Sequence, residues 1–162
     1  MKGRRACFEA AVAAAVATLF AVSCGGDVVY SRYCDVAIDG WRRVDTMTFV
    51  VPPVPQFADC EAFLGLRVSY EYPYSNVALV VEQQSVESGR TLRVDTMECL
   101  IAAEVDVLRG KGISLYHHAE PLRLVPELRS DTTRVRVWHA MRRTSLVGIA
   151  DVGITILRRA ER

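Results

Sequence analysis

Apolar and polar side chains alternate with a period of two over most of the chain after residue 27. The clearest case is the segment 64–70, in which the apolar positions are Leu64, Leu66, Val68 and Tyr70. Gly65, Arg67 and Ser69 occupy the positions between them. A strand directs successive side chains to opposite faces of its sheet, so this alternation predicts a β-strand with one buried face.

Further strands follow from the same pattern. They are predicted over residues 28–37, 46–51, 76–83, 92–98, 113–118, 135–141 and 152–156. A polar run at 87–90 contains Gly89, as a hairpin turn requires. Pro52 ends the strand before it, because proline has no backbone N–H to donate to a neighbouring strand. Two stretches invite helix instead: residues 100–109, and residues 143–149, which could form one turn. About eight short strands predict an all-β, antiparallel β-sandwich that is jelly-roll-like.

The first 23 residues have a different pattern. A basic start with Lys2, Arg4 and Arg5 precedes an apolar run over residues 10–22, which Ser23 and Cys24 close. This arrangement resembles a bacterial lipoprotein signal peptide, in which Cys24 is acylated and the chain is cut after Ser23. The run of 13 residues is shorter than the ~20 that a spanning helix needs. The alternative is an ordinary cleaved signal followed by a coincidental cysteine.

Cleavage would divide the chain into a signal peptide (1–23), a lipidated tether (24–27) and one sandwich domain (28–162). The 139 residues that remain of the 162 suffice for one domain with its own core. The signal holds three of the 20 cationic side chains and one of the 19 acidic ones, which leaves a net charge of −1. A nearly neutral chain excludes nucleic acid as an expected partner, since that function needs a strongly positive face.

No residue pattern predicts a metal, a cofactor or catalysis. His117 and His118 are adjacent on a predicted strand, so their side chains point to opposite faces and do not ligate one ion. Cys34, Cys60 and Cys99 are an odd number without close pairing, and we expect three small buried hydrophobic side chains. The chain has no Gly-x-Ser-x-Gly elbow, no phosphate loop and no metalloprotease histidine pair. We therefore expect no catalytic residues and no enzyme.

Three tyrosines alternate at 70, 72 and 74 and share one face if this segment is extended. Such a row can stack on sugar rings or anchor a protein partner. The alternative, which we favour, is that the rings cover one end of the core while Pro73 shapes a turn. We expect Tyr74 to be structural and Tyr72 to be the more exposed of the two.

An ordered series of residues over nearly the whole mature chain resembles the gliding-motility lipoprotein GldH family. After Cys24 the series comprises Tyr30, Tyr33, Asp35, Gly40, Trp41, Phe49, Pro52 and the segments 64–67, 72–76, 95–96, 110–112, 141–142 and 148–153. The most specific parts are Tyr-Pro-Tyr-Ser-Asn at 72–76 and Gly-Ile-Ala-Asp-Val-Gly at 148–153. The segment 100–109 departs from the family pattern, because it lacks the glycine and tryptophan that are usual there.

The resemblance implies an outer-membrane lipoprotein of gliding or secretion-linked envelope machinery, without catalytic activity. Its expected partners are the membrane, through the lipid on Cys24, and envelope proteins. The candidate partner-binding or family-motif residues are Trp41, Arg67, Tyr72, Tyr74, Asn76 and Arg142. Gly25 in place of Asp after the lipidated cysteine favours the outer membrane with the domain facing the periplasm. The alternative function is a surface-exposed glycan-binding module that uses the tyrosine row and Trp41.

Overall fold

The computed structural model describes residues 28–104, 107–108 and 114–159. The predictions for the signal peptide, the tether with Cys24, and the segment 110–112 concern residues outside these ranges. The strands are β1 Val28–Asp35, β2 Trp41–Arg42, β3 Met47–Val51, β4 Cys60–Ser69, β5 Asn76–Ser85, β6 Thr91–Leu100, β7 Ala102–Glu104, β8 Val107–Leu108, β9 Leu115–Pro121, β10 Thr133–His139, β11 Ser145–Leu146 and β12 Ile149–Arg158. Two short 3₁₀ turns cover Phe57–Asp59 and Pro126–Arg129.

Eight of these strands form two antiparallel four-stranded sheets. Sheet I has the order β1-β12-β4-β9 and sheet II the order β3-β10-β5-β6. The chain crosses repeatedly from one sheet to the other, and each sheet mixes early with late strands, which is the connectivity of a jelly roll. The predicted all-β, jelly-roll-like sandwich is therefore confirmed. The remaining four strands form two short two-stranded sheets, β2–β11 and β7–β8.

The core consists of the alternate side chains that each sheet directs toward the other. From sheet I these include Leu64, Leu66, Val68, Val152, Ile154 and Ile156, and from sheet II Val77, Leu79, Val81, Val135 and Val137. Each such burial contributes about 1.5–3 kcal/mol relative to exposure. The apolar face that alternation predicted for β4 is therefore the face that packs against sheet II.

Both predicted helices are wrong for the residues described. β6 continues through Leu100, which pairs with Asn76 of β5, and the backbone N–H of the buried Ile101 donates to Ser75 O at 2.8 Å. Beyond it lie β7 and β8. The stretch 143–149 contains β11 and a turn at Gly148, whose φ of +90° is outside the helical region. In both places, pairing with a distant strand outweighs the local preference for helix.

The cysteines and histidines only partly follow expectation. Cys99 is buried, which raises its pKa to about 12, but Cys34 and Cys60 are half-buried free thiols rather than core residues. His117 is exposed and His118 is buried, as their positions on opposite faces of β9 require. Among the residues described, no three His, Cys, Asp or Glu side chains come together as a metal site would need. None of the helices in the described ranges has the length and hydropathy to cross a bilayer.

The tyrosine row does not form one face, because the chain turns after β4. The backbone N–H of Tyr72 donates to Ser69 O at 3.2 Å, and this turn interrupts the alternation. Tyr70 is 77% exposed and Tyr72 only 4% exposed. The hydroxyl of Tyr72 donates to Asn76 O at 2.8 Å, and burial raises its pKa. Tyr74 is half-buried with its ring edge-on to Tyr72 at 5.5 Å, so the expectation that Tyr72 is the more exposed of the pair is wrong.

We expect Tyr72→Ala to lower the free energy of unfolding by about 3–5 kcal/mol, because it removes a large ring from the core. Tyr74→Ala should cost less, and Tyr70→Ala is the matched control because its ring is already in solvent. Urea denaturation of the purified variants measures all three. A larger loss for Tyr74→Ala than for Tyr72→Ala would contradict this assignment.

Candidate functional site

The outer face of sheet I carries a row of charged side chains that the strand register brings side by side. Asp35 of β1 pairs with Asp151 of β12, Asp151 pairs with Arg67 of β4, and Arg67 pairs with His117 of β9. The alternate positions on β4 and β12 point into the core, so these side chains point away from it. Together with Tyr33 of the adjacent row, we call them the Arg67 patch: Tyr33, Asp35, Arg67, His117 and Asp151.

Tyr33 lies across two glycines that are neighbours in the sheet. Its register partner on β12 is Gly153, which pairs in turn with Gly65 on β4. A Cβ at Gly153 would come within 2.4 Å of the ring, and one at Gly65 within 2.3 Å of the hydroxyl. Glycine is therefore required at both positions for close approach, and it lets the Tyr33 hydroxyl reach His117 Nε2 at 2.8 Å.

Arg67 connects the tyrosine to the carboxylates. Its guanidinium carbon is 5.3 Å from the centroid of the Tyr33 ring, a cation–π distance. Its Nη2 donates to Asp151 Oδ1 at 2.5 Å. The Arg67 side chain is 44% exposed, whereas that of Asp151 is 7% exposed. The buried Nε of Arg67 has no hydrogen-bond partner among the described residues. The pair thus holds a nearly buried carboxylate beneath a guanidinium that still meets solvent.

Burial raises the pKa of Asp151, and a hydrogen bond with the neighbouring Asp35 carboxyl raises it further, while Arg67 acts in the opposite direction. The Asp151 carboxyl therefore binds its proton more tightly in the folded protein than in the unfolded chain. Stability from this group is greatest below the ordinary carboxyl pKa and falls as the pH rises through the raised pKa. Arg67 therefore lies beside two carboxyl groups that are hydrogen-bonded to each other.

The structure distributes the sequence-predicted residues over several places. Trp41 is fully buried, donates from Nε1 to Asp45 O at 3.0 Å, and packs edge-on to His139. Tyr72, Tyr74 and Asn76 lie together, and the Asn76 amide donates to Glu98. Arg142 is exposed in the connection between β10 and β11. Trp41 and Tyr72 therefore offer no exposed ring to a glycan.

Four members of the Arg67 patch escaped the sequence analysis as site residues. Tyr33, Asp35 and Asp151 belong to the segments that carry the family resemblance, but these segments are far apart in the chain. Only the register of β12 between β1 and β4 brings them together. A usable signal was Gly65 and Gly153, two residues from Arg67 and from Asp151 respectively and therefore on the same face of the sheet.

We expect Arg67→Gln to destabilise the protein by about 1–3 kcal/mol at pH 7, because it leaves the Asp151 carboxylate buried without its cation. The loss should be smaller at about pH 4, because burial raises the pKa of that carboxyl and it takes up a proton as the pH falls. Urea denaturation at both pH values measures it. Arg42→Gln is the matched control, since Arg42 pairs with Asp45 in solvent and such pairs contribute little. Equal, pH-independent effects of the two substitutions would contradict the role of Arg67.

We expect Gly153→Ala to destabilise the protein clearly in the parent and much less in a Tyr33→Ala background, because the added methyl group collides with the Tyr33 ring. Gly89→Ala serves as the control. It adds strain at a φ of +67° but meets nothing within 4 Å, so its cost should be the same in both backgrounds. Thermal unfolding of the six proteins gives the cycle, and strictly additive effects at 33 and 153 would rule out the contact.

Comparison with known proteins identifies a family that this chain matches. A family model described as GldH lipoprotein matches residues 28–156. A protein of Flavobacterium johnsoniae named Gliding motility lipoprotein GldH is 27% identical over 153 residues, which cover 87% of this chain and 91% of that protein.

Similarity to solved structures is weaker. VP2 of the infectious bursal disease virus subviral particle has a TM-score of 0.31 at 9% identity, and the match covers 80% of this chain and 30% of the VP2 chain. Dimeric latent PorU of Porphyromonas gingivalis has a TM-score of 0.30 at 9% identity, and the match covers 85% of this chain and 14% of the PorU chain. The chain spans under a third of either structure. The family model, in contrast, covers most of the chain, which therefore belongs to the GldH lipoprotein family.

Proposed function

We propose that the protein is a lipid-anchored, non-enzymatic interaction component of gliding motility or of the secretion-linked envelope machinery. Acyl chains on Cys24 hold it in the outer membrane, and the sandwich domain faces the periplasm. The observation that carries this proposal is the family match over residues 28–156. A relative named for gliding motility, aligned over nearly its whole length, supports the same role.

The architecture supports a short tether. β1 begins at Val28, four residues after Cys24. A chain of four residues spans at most about 14 Å, so the end of the sandwich at which β1 starts stays close to the membrane. A single acyl chain gives only marginal binding, and the several chains of a mature lipoprotein give a stable anchor. The domain is then positioned to contact envelope proteins with its faces and its far end.

The arrangement of the Arg67 patch supports recognition rather than catalysis. Its groups lie on the outer face of a sheet and bond mainly to one another, Tyr33 to His117 and Arg67 to Asp151. Arg67 remains 44% exposed, and a half-exposed guanidinium over an aromatic ring suits contact with polar groups of another protein. We therefore assign the patch to binding or to support of a binding surface.

We expect Cys24→Ser to abolish both acyl labelling and signal cleavage, because acylation of the thiol precedes processing. Cys34→Ser is the matched control, since Cys34 is a half-buried free thiol in the domain. Metabolic labelling with a fatty-acid analogue in a gliding host measures the first effect. The apparent mass of each variant on a denaturing gel measures the second. Colony spreading of a deletion strain that carries each variant tests function, which only Cys34→Ser should restore.

Three results would contradict parts of the proposal. Label retained on the Cys24→Ser variant would exclude lipidation at this residue. Full spreading of the deletion strain would exclude a role in gliding. Cleavage of the domain by external protease on intact cells would place it on the cell surface rather than in the periplasm.

A further inference from the structure

A mostly apolar pocket of about 410 Å³ opens at the end of the sandwich where β1 begins. It lies between the start of β4, the end of β9 and the 3₁₀ turn Phe57–Asp59. Its uncharged lining includes Phe57, Cys60, Ala62, Phe63, Leu122 and Leu124. The volume falls within the range of about 300–1,000 Å³ that is typical of ligand pockets.

Backbone hydrogen bonds hold the walls of this pocket in place. The N–H of Leu122 donates to Ala62 O at 2.8 Å, which extends the pairing of β4 and β9 past Pro121. The N–H of Arg159 donates to Asp59 O at 2.7 Å and ties the residue after β12 to the 3₁₀ turn. A pocket whose walls are already ordered binds a ligand without the entropy cost of ordering them.

The charged groups of the lining lie at the rim of the pocket. Glu61 and Arg123 are exposed, and the Glu61 carboxylate pairs with Arg159 at 3.1 Å. Leu122 and Leu124, in contrast, are only 7% and 9% exposed. An apolar interior with polar groups at its rim suits a ligand that has an apolar chain and one polar end.

The strand register places the pocket beside the start of β1. Val28 pairs with Leu157 of β12, and Leu157 pairs with Glu61 of β4. Neighbouring strands are ~4.8 Å apart, so Val28 lies roughly 10 Å from Glu61 in the lining. Cys24 is four residues before Val28 and therefore within about 14 Å of it. The reach of the tether thus exceeds the distance to the pocket.

Apolar side chains lie between the tether and the pocket. Val28 is 55% exposed and Val29 is 39% exposed, and the half-buried Leu157 stands between Val28 and Glu61. Directly opposed residues of an antiparallel pair project from the same face of a sheet, so Val28, Leu157 and Glu61 share one face. An acyl chain that crosses this face covers Val28 and Leu157 before it enters the pocket.

Filling the pocket with an acyl chain removes apolar protein surface from water. A chain that moves from a bilayer into the pocket exchanges one apolar environment for another. The lining of the pocket, in contrast, leaves water, which is favourable. Because a mature lipoprotein carries several chains, one can occupy the pocket while the others remain in the bilayer.

We propose that this pocket binds one of the acyl chains that Cys24 of the same molecule carries. The inference rests on the proposed function for the lipidation of Cys24. The remaining chains hold the protein in the membrane, and the bound chain keeps the pocket end of the sandwich against the bilayer. The domain then has a fixed orientation relative to the membrane instead of turning freely on its tether.

Photocrosslinking from a diazirine fatty acid, incorporated metabolically into the full-length lipidated protein, tests this binding. The purified protein is returned to vesicles of unlabelled phospholipid at high dilution, so that the label is confined to Cys24. After irradiation, we expect the N-terminal peptide to be crosslinked to residues 57–63 or 121–124. No crosslink is expected to residues 70–75, which follow the opposite end of β4. Peptide mass spectrometry maps the crosslinks.

Two substitutions in the lining should each reduce this crosslink at least about tenfold, the effect of 1.4 kcal/mol. Phe63→Asp and Pro121→Asp place a carboxylate in the pocket, where it disfavours an apolar chain. Pro121 is exposed, so its substitution tests the pocket even if Phe63→Asp impairs folding. Ala119→Asp is the matched control and should leave the crosslink unchanged, because Ala119 is exposed on the same strand but outside the lining. Thermal unfolding verifies that each variant is folded.

Several results would overturn the proposal. Label on Cys24 without crosslinks to the lining, or crosslinks that survive Pro121→Asp, would contradict it. A dimer-sized adduct would show the chain of a second copy as the occupant. Crosslinks that form only when unlabelled protein is placed in vesicles of diazirine phospholipid would show a membrane lipid instead. Absence of any label on Cys24 would contradict lipidation itself, which distinguishes failure of the proposed function from failure of the pocket alone.

Discussion

The register of β12 between β1 and β4 determines most of this structure. It directs Val152, Ile154 and Ile156 into the core and aligns Asp151 and Gly153 with their partners on the outer face. Side chains alternate with a period of two, so a slip of one residue would expose the apolar set and bury the charged one. The cost of exposing three large aliphatic side chains, several kcal/mol in sum, therefore also fixes the geometry of the Arg67 patch.

Within the patch, small and large residues have complementary roles. The glycines at 65 and 153 give the Tyr33 ring its place on the sheet, and the ring in turn provides a face for Arg67 at 5.3 Å. Arg67 then offsets part of the charge of Asp151, whose burial raises its pKa. The patch is thus an ordered surface whose polar groups bond mainly to one another.

The jelly roll keeps the start of β1 and several of its loops at opposite ends of the domain. Its connectivity places the start of β1 at one end and the loops bearing Ile38, Tyr70 and Val147 at the other. A lipid on Cys24 would hold the first end near a membrane, which leaves the second free to meet other proteins.

The sequence by itself determined the strands, the sandwich and the family, because alternation of apolar residues is local and strong, as at 64–70. It also determined that His117 and His118 face opposite sides. It could not determine the extended state of 100–104, the burial of Trp41 or the turn that buries Tyr72, since each depends on contacts with residues distant in sequence. The meeting of Tyr33, Arg67 and Asp151 likewise required the tertiary structure, because strand order and register arise from packing of the whole core rather than from any one segment.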